Sequence, residues 1–200
     1  MSPLSWKLCV GLLSLLVLSA CGTTPVSSHY RLSALAPLPS VADGLSLGVG
    51  PVSIPEYLNR DGLVRSDGAN ALSIAGSERW AEPLEDGVTR VTILNLAGLL
   101  ETQDIRRFPW HPERAPQIGI KLNILTLDTE QAKATLVAEW LVYQTDGEQP
   151  VTRRLTRYEE PLAGAQAAGN DIAAAYSKLL LSLSQDIAAA VRVQSAPAAT

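Results

Sequence analysis

Two stretches of strict alternation organise the second half of the chain. In Ile118, Ile120, Leu122 and Ile124, and again in Ala134, Leu136, Ala138, Trp140 and Val142, every second residue is apolar. That is the period of a strand with one face in a core. Asp128-Thr129-Glu130 between them reads as a turn, and a third strand, Val151 to Tyr158, follows the turn chemistry of Thr145-Asp146-Gly147-Glu148. Connections this short cannot carry a parallel crossover, so the pattern predicts an antiparallel meander. Beyond it the period changes. Ile172, Tyr176, Leu179, Leu183, Ile187 and Ala190 recur at steps of three and four, which predicts an amphipathic helix over 170–193, opened by Asn170 or Asp171 as cap.

Upstream the pattern is less regular. A second helix is predicted over 86–101, capped by Asp86, with Val88, Val91, Leu94, Leu96, Leu99 and Leu100 too spread for a single stripe and therefore covered on two sides. Tyr30 to Leu35, Leu45 to Ile54 and Ile105 to Phe108 read as strands, and Pro109 to Pro116, with three prolines, as a loop. Leu63 to Arg65 and Ala71 to Ile74 form a hairpin around Asp67-Gly68. The fold class that follows is α+β, a two-layer sandwich of a mixed, mostly antiparallel sheet with two main helices.

The first residues follow a different logic. Lys7 precedes the apolar run Leu8 to Leu18, which leads into Leu18-Ser19-Ala20-Cys21. A run of about ten residues rises only ~15 Å as a helix, half a bilayer core, so it reads as a secretory signal rather than a span. Small residues at Ser19 and Ala20 suit signal-peptidase cleavage, and the Cys21 thiol is the nucleophile available to take a diacylglycerol. The tetrapeptide resembles the bacterial lipobox. The expected organisation is a signal peptide at 1–20, a lipidated polar tether at 21–29, one domain at 30–193 and a disordered tail at 194–200. Gly22, where an Asp commonly marks inner-membrane retention in such lipoproteins, favours the periplasmic face of the outer membrane.

Composition narrows the chemistry. With 16 basic and 20 acidic residues the chain carries a net charge of −4, which gives no footprint for nucleic acid. Arg106-Arg107 and Arg153-Arg154 read as solvated strand edges. Cys9 leaves with the signal and Cys21 is acylated, so no thiol remains for a disulfide. The two histidines, His29 and His111, stand by the tether and in the proline-rich loop; no metal or cofactor site and no nucleophile elbow is expected. Gly44, Gly48 and Gly50 fall in or before a strand rather than opening a helix, against a phosphate loop. Glu78, Glu82, Glu85 and Asp86 could supply a carboxylate pair for glycan cleavage, but they suit an acidic helix entry better.

Several short segments occur in a telling order: Val49-Gly50-Pro51-Val52-Ser53-Ile54-Pro55-Glu56-Tyr57-Leu58-Asn59-Arg60, then Arg79-Trp80-Ala81-Glu82-Pro83-Leu84, Asp86-Gly87-Val88-Thr89-Arg90-Val91, and Phe108-Pro109-Trp110. Together they resemble the PqiC (YmbA) group of ABC-type transport auxiliary lipoproteins. The resemblance implies a non-catalytic periplasmic lipoprotein that docks an MCE-domain transport protein and its inner-membrane component at the outer membrane and supports envelope integrity. It implies lipid attachment at Cys21; Pro55, Tyr57, Leu58, Arg60, Trp80, Glu82, Pro83 and Trp110 match its stretches without a catalytic role. Most of these read as structural, with Pro51 and Pro55 bounding a strand and Trp80 and Trp110 suited to packing anchors; for the exposed part, Tyr57, Leu58, Arg60 and Trp80 are the expected partner-binding surface, because aromatic and Arg side chains dominate interface energetics. A lipid-binding shuttle and an envelope hydrolase are the alternatives, and self-association through the two-sided helix is left open.

Overall fold

The computed structural model describes residues 26–40, 44–68, 70–147, 151–164 and 166–195. The signal segment, Cys21 and residues 196–200 lie outside them. Among the described residues, eight strands and two α-helices follow in the order β1 (Ser28–Tyr30), β2 (Leu47–Ser53), β3 (Gly62–Ser66), β4 (Leu72–Trp80), α1 (Leu84–Leu99), β5 (Ile105–Arg107), β6 (Ile118–Glu130), β7 (Lys133–Gln144), β8 (Thr152–Pro161) and α2 (Gly169–Ser195).

The predicted α+β sandwich is present, but its strands form two sheets instead of one. The large sheet has the order β5-β2-β6-β7-β8, parallel on the β2 side and antiparallel through the meander. The small sheet has the order β1-β4-β3. The meander, both helices and the hairpin appear where the hydropathy pattern puts them. Helix α2 packs on β7 and β8, α1 on β2 and β5, and β3 touches β6. Between these layers Leu47, Ile120, Leu136, Leu180, Leu183 and Ile187 are buried completely or nearly so. Tyr176 sits at the join: its ring stacks on Trp80 with centroids 6.2 Å apart, and its hydroxyl donates to the Leu127 carbonyl at 3.1 Å.

Four local expectations are corrected. Asp128-Thr129-Glu130 is the end of β6, not a turn; a register shift between Ile124 and Thr126 turns Leu127 and Thr129 inward, and the chain reverses at Gln131, whose φ is 55°. Helix α1 begins at Leu84 behind Pro83, with no side-chain cap; Asp86 lies inside the first turn and pairs with Arg107 instead. The same helix stops before Glu101, which takes the left-handed conformation (φ 52°) while the Thr102 amide bonds back to the Ala97 carbonyl at 3.1 Å. That bond closes a helix end of the type usually completed by Gly.

The predicted strand Tyr30–Leu35 is the fourth. Strand β1 ends at Tyr30 and draws in Ser28 and His29 from the expected tether. The residues after it form a strap over both helices, because side chains rather than a strand satisfy their amides. Ser33 N–H donates to Ser177 Oγ at 3.0 Å, and Leu35 and Ala36 N–H donate to Asn95 Oδ1 at 2.9 and 3.2 Å. The Arg90 guanidinium holds the Leu32 carbonyl at 2.9 Å. Gly98 of α1 lies so close beneath the Pro37 carbonyl that a Cβ there would collide with it.

Candidate docking surface

The segments singled out in the sequence gather at two places. In the first, β2 meets the chain after β5. Gly50 (φ 121°) leaves room for Phe108, whose Cβ would stand 2.7 Å from a side chain at that position, and Gly48 is overlaid by Trp110 at 2.6 Å in the same sense. The Gly50-Pro51 and Phe108-Pro109 peptides are both cis. Phe108 and Trp110 meet edge to face with centroids 5.3 Å apart, and Phe108 is left 44% exposed. Beside it Val49, Pro51, Glu85, Thr89 and Arg107 line a small recess of 140 Å³. The result is an aromatic edge in water, flanked by the Arg107–Asp86 ion pair.

The second place joins the small sheet to the rest. Tyr57, in a 3-10 turn at Glu56–Leu58, donates its hydroxyl to Asp128 Oδ1 at 3.0 Å. Burial raises the Asp128 carboxyl above its ordinary range, with Glu130 adding to this, although the Tyr57 hydrogen bond works the other way. Burial and the same carboxylate push the Tyr57 phenol up as well. Leu58 is 2% and Trp80 7% exposed, both in the core. The structure therefore corrects the expectation that these two line a surface: the 3-10 turn points Leu58 inward, and Trp80 is taken up by its stack on Tyr176. Of the four predicted contact residues, Arg60 is exposed and Tyr57 half-buried.

The acidic cluster is dispersed among arginines. Glu78 Oε2 accepts from Arg65 at 2.7 Å and its Oε1 from the Gly169 amide at 2.9 Å, while Arg65 also donates to the Ala167 carbonyl at 2.6 Å. Burial opposes ionisation of Glu78, but these donors, with Arg65's charge, outweigh it and hold the carboxyl below its usual range. Glu82 is gripped by Arg90, and Asp86 by Arg107. Carboxylates held this way are ion-pair anchors. His29 is exposed on β1, and His111 accepts from the Glu113 amide at 3.3 Å. Among the described residues no group of three or more His, Cys, Asp or Glu is placed to hold a metal ion, and no helix is long and apolar enough to cross a membrane. Arg65, missed from the sequence, carried no signal beyond being a charge in a predicted strand.

Residues 30–188 match the family model for the ABC-type transport auxiliary lipoprotein component, and the chain belongs to that family. Its function therefore lies in transport, as an auxiliary of a larger system, and the family's name is that of lipoproteins. Two crystal structures share the fold. An uncharacterised protein is 19% identical with a TM-score of 0.67, over 84% of this chain and 99% of its own. A Xanthomonas campestris protein of the DUF330 family is 13% identical with a TM-score of 0.66, over 84% and 96%. No curated protein matches the sequence.

Proposed function

We propose that this protein is a non-catalytic subunit of an MCE-type, ABC-type intermembrane lipid transport system. Lipid on Cys21 tethers it to the periplasmic face of the outer membrane, where it docks the transport assembly and supports envelope integrity. The family match over residues 30–188 carries this reading. The Phe108 edge supports it, since a half-exposed aromatic beside an Arg is the composition of an interface anchor. Arg60 is a second exposed contact of the same kind.

The test is an affinity pull-down of the full-length protein from crosslinked envelopes, with Cys21→Ser as the unanchored control. An MCE-domain protein recovered with the wild type and reduced with Cys21→Ser supports tethered docking. Arg60→Ala should weaken recovery without lowering the unfolding midpoint, and Phe108→Ser, which also loses its packing on Trp110, should weaken it at temperatures well below its own lowered midpoint. Recovery of monomer with bound phospholipid and no partner would replace docking with a shuttle, and intermolecular crosslinks between copies would report self-association.

A further inference from the structure

Two large apolar side chains are exposed at the hairpin end of the small sheet, Leu72 at 47% and Ile74 at 53%, and Val26, two residues before β1, is 89% exposed. Leu72 and Ile74 are two residues apart on β4, so they share one of its faces, directly after the turn from β3. The stretch from Ser66 to Ile74 at this tip has a single charged residue, Asp67.

Strand β1 runs away from the same end, parallel to β4, with Ser28 opposite Glu78 and Tyr30 opposite Trp80. Traced backwards from Ser28, the chain therefore heads the way β4 does when traced from Glu78 back to Leu72. Six strand steps at ~3.3 Å put Leu72 about 20 Å from Glu78. Cys21 precedes Ser28 by seven residues (28 − 21), which span at most about 25 Å. A membrane holding Cys21 thus lies within about 25 Å of the start of β1, close enough to be reached by the hairpin tip.

We infer that the Leu72/Ile74 tip of the β3–β4 hairpin is a membrane-contact surface that seats its apolar side chains in the interfacial layer of the bilayer carrying the anchor. The inference rests on Cys21 being the lipidated residue. A lipid surface fits better than a second copy of the chain, because the short tether keeps a bilayer within reach of this end in every molecule. With one charge at the tip the contact is apolar, so zwitterionic lipid suffices and salt has little effect.

The experiment uses full-length, acylated protein in phosphatidylcholine/phosphatidylethanolamine vesicles, its acylation checked by intact mass. Leu72→Cys then provides one free thiol for a polarity-sensitive fluorophore, and Glu113→Cys, in the turn before β6, is the control. The expected result is quenching by spin-labelled lipids at position 72 and none at 113, unchanged at high salt. Adding Ile74→Ser should lower the inserted fraction about fivefold, from the loss of roughly half an isoleucine's burial. Absence of quenching at 72 in acylated protein overturns the membrane contact and leaves the lipoprotein reading standing. A disulfide between two copies at position 72 in unlabelled protein, with no quenching in the labelled protein, assigns the tip to a second copy. A mass without lipid removes the anchor and the inference together.

Discussion

Replacing Glu78 tests whether the small sheet is fastened to the rest of the domain by its carboxylate. The Glu78 and Arg65 side chains are 25% and 23% exposed, and the pair links β3 and β4 to the backbone at Ala167 and Gly169, where α2 begins. Breaking a fully buried pair costs roughly 3–5 kcal/mol, while an exposed pair is worth about 0–1. Three-quarters burial places Glu78→Ala at about 2–3 kcal/mol, and at roughly 2–4 °C per kcal/mol for a domain of this size the midpoint falls by about 5–10 °C. Glu78→Gln keeps an acceptor and should cost about 1 kcal/mol. The pH dependence separates charge from packing. A carboxyl depressed in the folded state contributes stability above its unfolded pKa of about 4.3, and that contribution is lost as pH falls through the lower folded value. Wild type should therefore lose more stability than Glu78→Gln between pH ~5 and ~3, read as urea midpoints by circular dichroism. A cost below about 0.5 kcal/mol for Glu78→Ala, or superimposable acid limbs for wild type and Glu78→Gln, would refute the fastening.

Other perturbations separate strained, buried and solvent-screened features. Asp128→Asn should stabilise the protein near neutral pH and lose that advantage in acid: a carboxyl raised by burial favours the fold below its unfolded pKa and disfavours it as pH rises through the folded one. Tyr57→Phe should instead cost about 1–3 kcal/mol at neutral pH, leaving Asp128 without its donor; midpoints across pH check both. Arg107→Ala should change stability by less than about 1 kcal/mol, because that pair is 56% and 44% exposed. Gly98→Ala should cost about 1–3 kcal/mol or more and increase amide exchange at Leu35 and Ala36, since its Cβ would lift the Pro37 carbonyl. Glu101→Gly should be neutral or stabilise by up to about 1 kcal/mol in thermal unfolding, its backbone already being left-handed.

The meander and α2 were legible because each buries one face at a fixed period over many residues. Where a polar side chain takes over a backbone amide, periodicity fails. Tyr30 to Leu35 alternates like a strand, yet Ser177 and Asn95 draw the amides of Ser33, Leu35 and Ala36 away from any sheet. The polar run Asp128-Thr129-Glu130 mimics a turn, but the bulge in β6 lets Thr129 point inward and Tyr57 receives Asp128. The meeting of Gly48 and Gly50 with Trp110 and Phe108 joins segments some sixty residues apart (108 − 50 = 58), and only the fold reveals that pairing. Among the motif aromatics Trp80 went into the core, as a packing anchor does, while nothing in the sequence marked Phe108 to stay half outside.

The parallel seam between β1 and β4 also sets how the molecule bears load. A pull delivered through the residues before Ser28 runs along β1, so the hydrogen bonds crossing to β4 are sheared together instead of being peeled one at a time. Behind that seam the strap is pinned to both helices through Arg90, Asn95 and Ser177. Tension on the N-terminus is thus shared by the small sheet and the helical layer before β2 is reached. The N-terminal end of the described chain is thus a mechanical coupling, in which the first strand takes force along the sheet and passes it to both layers.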